Sequence, residues 1–284
     1  MVQREAITHV SDTALWMAHI RAAETSRTHP AFHDPLAALL AGERGPAIAR
    51  AIPHARTTAF GVVVRTSAVD RLVQSCIDDQ VDAIVNLGAG LDTRPYRMAL
   101  PPALRWIEVD FPQLISAKQS ALRDHESRCR LERISLDVAD RAVRRPLLGT
   151  LEAAGGAVAL LTEGLIPYLR NDEVAQLASE MHSVTSLRYW IQDFDNAGLR
   201  QPMPKGWRKA LKAAPLRFQT ADWFGFFLNF GWRPRRIITT ADEAQLIGRP
   251  YPKTFPLGLL MSALPAPMRH RILSTTGAAL MEKI

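Results

Sequence analysis

Asp82-Ala-Ile-Val-Asn-Leu-Gly-Ala-Gly-Leu-Asp-Thr-Arg94 is the stretch from which the rest of the chain can be read. Ala83, Ile84, Val85 and Leu87 make a short apolar run that stops at glycines. A strand covered on both faces has this pattern when it ends in a tight turn. Gly88 and Gly90 can adopt backbone angles closed to other residues and let a ligand approach the main chain. Open α/β sheets bind nucleotide-like ligands at such a turn, outside the carboxyl end of a central strand.

The residues around the glycines select the ligand. A dinucleotide fingerprint needs a third glycine three residues after Gly90, and that position is Thr93. A pyrophosphate also needs bare amides with no anion beside them, whereas Asp92 sits in the turn. An acid there suits a ligand with positive charge. S-adenosylmethionine, with its sulfonium and α-ammonium, meets that requirement, and NAD ranks far below it.

Upstream, residues 1–80 read as a helical extension. Ser11 or Asp12 can cap a helix through Leu15, Ala18 and Ala22. Asp34-Pro35 opens a short helix closed by Gly42, and a third helix spans Thr57 to Asp79. His29 and His33 flank Pro30, which argues against one helix presenting both to a metal, so no metal is expected.

Downstream, strand and helix alternate. Arg105–Asp110, Leu131–Asp137, Ala157–Thr162 and Arg188–Phe194 read as strands two to five. This alternation implies a parallel sheet with right-handed crossovers. Residues 195–230 interrupt it as a cap rich in Pro, Trp, Phe and basic residues. Trp232–Thr239 reads as a sixth strand with a helix to Leu246, residues 248–270 as a long loop, and Ser274–Met281 as a final antiparallel edge strand. The expected fold is α/β and Rossmann-like, with a mostly parallel seven-stranded sheet and helices on both faces. The catalytic domain is expected over residues 81–284.

In a parallel sheet all strand carboxyl ends share one edge, and three acids fall there. Asp110 comes twenty residues after Gly90, where it could grip ribose hydroxyls. Asp137 could accept from an adenine amino group, and Glu163 could face the ammonium of the donor. Asn86-Leu-Gly-Ala-Gly-Leu-Asp-Thr-Arg94, Glu108-Val-Asp110 with Lys118, Leu136-Asp-Val138 and Glu163-Gly-Leu-Ile-Pro-Tyr-Leu169 together resemble the leucine carboxyl methyltransferase family. That family is a branch of class I S-adenosylmethionine-dependent methyltransferases. Arg21-Ala-Ala-Glu24, Asp34-Pro35 and Arg65-Thr66 with Asp70 extend the resemblance, which covers roughly residues 10–185. It implies that Gly88, Asp110, Asp137, Val138 and Glu163 line the donor site with the turn residues Ala89 and Gly90. It also implies that Arg65, helped by Arg21, holds the donor's carboxylate. A guanidinium fork is the best planar partner for that group. Arg94 reads as a partner of the turn and Lys118 as a solvated helix lysine.

Family members act on protein carboxylates, in tRNA modification, or on small molecules. The Phe60-Gly-Val-Val-Val-Arg-Thr66 stretch brings this chain closest to the tetracenomycin-type polyketide O-methyltransferases. The net charge of +7 suits an anionic acceptor but is too diffuse to argue for nucleic acid. RNA methylation through Trp232, Arg233, Arg235 and Arg236 therefore ranks low, as does donor binding without turnover. Cys76 and Cys129 set up no disulfide framework, and no signal segment or membrane-spanning run is visible. A cytoplasmic protein is expected.

A carboxylate acceptor is ionised at neutral pH and needs no base, whereas a phenol with a pKa of about 10 would want one. His54, His182 and Tyr168 are the candidates for such a base, and none has a supporting context. The primary expectation is therefore carboxyl O-methylation of a small anionic aromatic, with phenol O-methylation second. In the cap, Arg200, Trp207, Trp223 and Phe227 are candidate acceptor contacts, since Trp223, Phe226, Phe227 and Phe230 share a helical face. The competing reading is that this face only packs the cap onto the sheet.

Overall fold

The computed structural model describes residues 7, 9, 11–52, 55–153, 156–196, 213–254 and 257–284. Five parallel strands form the body of one sheet: β1 (Ala83–Leu87), β2 (Arg105–Asp110), β3 (Arg130–Ser135), β4 (Val158–Thr162) and β5 (Leu187–Asp195). With β6 (Trp232–Thr239) and β7 (Thr276–Lys283), the spatial order is β3-β2-β1-β4-β5-β7-β6. β1 lies at the centre and the chain reverses direction in space on either side of it, so its carboxyl end opens onto a crevice.

Every residue of β1 and β4 is buried, as the unbroken apolar runs require. Successive residues serve opposite faces. Ile84, Trp106, Ala159 and Ile191 pack with Val69, Leu72, Val73 and Cys76 of α4 (Ala55–Asp78). Val85, Ile107, Leu160 and Trp190 pack on the other face with Leu147 of α7 (Arg141–Ala153) and with Val174, Leu177 and Met181 of α8 (Asn171–Ser183). Burial of each such aliphatic side chain contributes about 1.5–3 kcal/mol. Ahead of α4, the helix α1 (Ser11–Thr25) and two short helices (Ala37–Ala41 and Arg44–Ala51) pack against one another.

The structure corrects two expectations near the carboxyl terminus. The final strand is not an edge: β7 lies between β5 and β6, antiparallel to both, and β6 is the edge. The reason lies in the residues. Ala278, Ala279, Leu280 and Met281 form a buried apolar run, whereas β6 carries Arg233-Pro-Arg-Arg236. Proline cannot donate to a ladder and is tolerated at an edge, and the pairing register shifts at Pro234. Residues 248–270 are likewise not one loop. They include the helix Leu257–Ala263 and most of a second helix, Ala266–Leu273, and Pro265 and Pro267 stand at the start of the latter. There proline is favourable and does not break structure. No helix among the described residues is long and apolar enough to cross a membrane.

Candidate functional site

The crevice at the carboxyl end of β1 is a cavity of about 580 Å³, within the range of small-molecule sites. Arg21, Arg65, Gly88, Ala89, Gly90, Asp110, Asp137, Val138 and Glu163, the residues read from the sequence as donor-binding, all line it. Gly88 and Gly90 have φ of 68° and 49°, the left-handed region that favours glycine. A side chain at position 88 would also press on Leu165, 3.1 Å from where its Cβ would stand.

Asp110 ends β2 and locks the turn from below. Its two oxygens accept from the amides of Gly90, at 2.6 Å, and Phe111, at 2.7 Å. Burial pushes its pKa up, opposed by those two amides and by Lys118. A carboxylate oxygen has a second lone pair, so both retain capacity for ligand hydroxyls. Asp137 lies two residues past the end of β3; one oxygen accepts from the Ala139 amide and the side chain is exposed at the rim. Val138, buried beside it, contributes an apolar wall.

Between these groups runs a chain of ion pairs. Arg94 is 2 % exposed, and its fork reaches Asp70 at 2.7 Å, Asp92 at 2.8 Å and Glu163 at 2.7 Å. Arg65 pairs with Glu163 and with Asp193, both at 3.1 Å, and Arg97 holds Asp70. Burial opposes the ionisation of Glu163 and of Asp92, but the neighbouring arginines outweigh it and hold both carboxyls below their usual range. Burial likewise opposes the charge of Arg65, and Asp193 and Glu163 more than restore it. Three arginines against Asp70, Asp92, Glu163 and Asp193 leave the network with a formal charge of −1. The site is thus prepared for a cation even though each carboxylate already has a partner.

The structure revises several sequence-based roles. Asp92, expected to stay available to a cationic ligand, is neutralised by Arg94 and accepts from Asn86 at 2.9 Å. Lys118 is no solvated lysine; it is wholly buried and pairs with Glu108 at 2.7 Å, with Arg133 on the other Glu108 oxygen at 2.9 Å. Arg21 spends its fork on Asp34 and on the Leu91 carbonyl, tying α1 to the turn. Asp193, which fastens both Arg65 and the Gly164 amide, went unnoticed in the sequence although it too lies near a strand's carboxyl end. Burial pushes its pKa up against the pull of Arg65.

The acceptor candidates divide. Tyr168 lines the cavity, and burial pushes its hydroxyl pKa up while Arg65 and Thr13 oppose the rise. His182 is away from the cavity, edge-on to Trp232 at 5.9 Å, so it cannot serve as a base there. Trp223 and Phe227 are core residues, 3 % and 0 % exposed. Trp223 donates to Gln192, and Phe227 stacks edge-on against Trp190 at 5.2 Å. The aromatic face of helix α9 (Trp223–Leu228) therefore packs the cap onto the sheet and does not wall the ligand. His54, Arg200 and Trp207 lie outside the described residues. The rest of the cavity is lined by Trp16 and Met17 of α1 and Thr58 and Val62 of α4, none of them singled out from the sequence as ligand contacts, and by segment 213–217 of the basic cap. Their helical spacing was visible, but which face met the cavity was not.

The sheet order with its antiparallel β7 defines a class I methyltransferase fold. A solved DUF574-family protein from Streptomyces avermitilis shares this fold at a TM-score of 0.56, over 96% of this chain and 97% of that one, with 14% identity. The leucine carboxyl methyltransferase model matches residues 14–182. The name "putative S-adenosyl-L-methionine-dependent methyltransferase" is borne by relatives from Frankia alni and S. avermitilis. They are 32% and 31% identical to this chain, each over 84% of it, and the alignments cover 87% and 88% of the relatives themselves. The chain belongs to the leucine carboxyl methyltransferase family, within the class I S-adenosylmethionine-dependent methyltransferases.

Proposed function

We propose that this chain is an O-methyltransferase that esterifies the carboxylate of a small aromatic, polyketide-like acid. The observation that carries the reading is the composition of one cavity. A donor half with net negative charge continues into a wall of Trp16, Met17, Val62 and Leu216 in which Tyr168 is held protonated. Among the described residues lining it there is no histidine. Such a surface accommodates a flat apolar body and, among the described residues, offers no histidine to take a phenolic proton.

S-adenosylmethionine bound there supplies a sulfonium methyl, which a carboxylate oxygen takes in line as the carbon–sulfur electron pair stays on sulfur. No proton moves, so the residues act by alignment and by excluding water. The turn at Gly88–Gly90 lets the donor approach the main chain. Asp110 receives the ribose hydroxyls and Asp137 the adenine amino group. The anionic network around Glu163 faces the ammonium, and Arg65 turns its remaining N–H groups to the donor carboxylate. Phenol methylation is the second reading, with Tyr168 near the acceptor as its support. RNA methylation ranks below both, since Arg233 pairs with Glu282, Arg235 with Asp79, and Arg236 bonds Ser75.

The test is product chemistry. The enzyme is incubated with methyl-labelled donor and a panel of aromatic carboxylic acids and phenols, and each product is treated with mild alkali. Release of labelled methanol is expected, as from an ester. Alkali-stable product from every accepted compound would overturn the carboxylate assignment and leave the donor site standing.

A further inference from the structure

Arg21, Arg65, Arg94, Arg97 and Arg217 line the cavity, and the first four are already committed. Arg21 pairs with Asp34, Arg65 with Glu163 and Asp193, Arg94 with Asp70, Asp92 and Glu163, and Arg97 with Asp70. Arg217 differs. Its main chain is anchored, the amide donating to the Pro167 carbonyl at 2.7 Å, while its exposed guanidinium has no ion-pair partner among the described residues. A second group is also unspent. The Thr58 hydroxyl is buried, lines the same cavity, and has no hydrogen-bond partner among the described residues. Thr58 lies seven residues before Arg65 on α4, about 10 Å along the helix axis, two turns away from the ion-pair network.

These two groups lack the partners that the rest of the site's polar groups have. A cation already inside an ion pair must give up that partner to bind a new anion, whereas a free guanidinium does not. A buried hydroxyl without a partner has lost its water, and a ligand group that reaches it restores a hydrogen bond. We propose that Arg217 is the residue that recognises the acceptor, pairing with one oxygen of an aromatic acid's carboxylate while the other oxygen is left to take the methyl. Thr58 then gives a second polar contact along the apolar wall. The proposal rests on the methyltransferase reading of the same cavity, and it assigns the acceptor class to a residue of the cap segment and not to the buried aromatic helix.

The test is calorimetric titration of the protein, saturated with S-adenosylhomocysteine, with 2-naphthoate and with its neutral counterpart 2-naphthamide. Wild type, Arg217→Ala, Arg217→Lys and Thr58→Val are compared. Arg217→Ala should weaken 2-naphthoate roughly tenfold or more, the loss of a charge-assisted contact. Arg217→Lys should recover part of that loss, and 2-naphthamide should bind equally to all three Arg217 forms. Thr58→Val should weaken both probes by a smaller factor. Equal S-adenosylhomocysteine affinity in all four proteins confirms that each is folded with its donor half intact. Naphthoate binding unchanged in Arg217→Ala, or no naphthoate binding to wild type, overturns the proposal. Its failure is separable from that of the ester reading. An alkali-stable product with Arg217-dependent binding sinks only the ester. An alkali-labile product with Arg217-independent binding sinks only the role of Arg217.

Discussion

The two halves of the cavity are built on different principles. In the proposed donor half nearly every polar group is paired with another: Asp110 with two amides, Glu163 with two arginines, Arg94 with three carboxylates. In the proposed acceptor half the wall is mostly apolar; Tyr168 bonds Thr13, and two of its polar groups, Arg217 and Thr58, are uncommitted among the described residues. A site that always receives the same ligand gains from preorganised charge, because reorganisation is then not needed at the moment of reaction. A site that defines specificity is better served by shape and a few orienting contacts. The cap divides in the same way. Its aromatic helix is core, and its segment 213–217 lines the cavity.

The largest effect that can test this division is on stability. Phe227→Ala removes a wholly buried ring from the core that joins cap to sheet. It should cost about 3–5 kcal/mol in urea unfolding and leave donor affinity in the folded protein unchanged. Retained stability with lost acceptor affinity would return the aromatic helix to the ligand wall and erase the contrast.

Asp110→Ala addresses the opposite half. It deletes the proposed ribose contact and orphans the Gly90 and Phe111 amides. S-adenosylmethionine binding should weaken by about 1–3 kcal/mol in calorimetry. An unaltered dissociation constant in a folded variant would remove Asp110 from the ribose and leave it as the lock of the turn.

Acid sharpens the comparison further. Glu163 is held below its ordinary value of 4.5 by Arg94 and Arg65 against burial. A depressed carboxyl pKa contributes stability that is present above the unfolded value and lost as pH falls through the folded one. Thermal stability should therefore decline on acidification below about pH 4.5, that ordinary value. Glu163→Gln should show a shallower decline over that window. Identical acid limbs in the two proteins would show that Glu163 does not carry the effect.

The smallest effect belongs to Tyr168. With a carboxylate acceptor, Tyr168→Phe should lower kcat far less than the roughly 10²–10⁴-fold that loss of a general base costs. A drop of that full size, steepest at neutral pH, would move the assignment to a phenol.

Much of the donor half could be read in advance because its determinants are local. A strand's apolar run, the glycines that end it and the acid at its carboxyl terminus occur within a dozen residues, and parallel topology then carries Asp110 and Glu163 to one edge. Asp193 follows the same rule and was available to be seen. Lys118 was not, since its burial depends on Glu108 across the α6 (Pro112–Ala121) packing and on Arg133 of the next strand.

The order of β6 and β7 lies between these cases. The apolar run Ala278–Met281 and the Arg-Pro-Arg-Arg of β6 already distinguish a central strand from an edge, provided the two are weighed against each other. By itself, then, the sequence determined the α/β alternation, the glycine turn, the strand-end acids and hence the class of donor. Only the tertiary structure decided which partners neutralise those acids, that Trp223 and Phe227 are core, and that segment 213–217 lines the cavity. Periodicity tells which residues share a face, but whether that face meets a sheet, a ligand or solvent depends on what the rest of the chain brings against it.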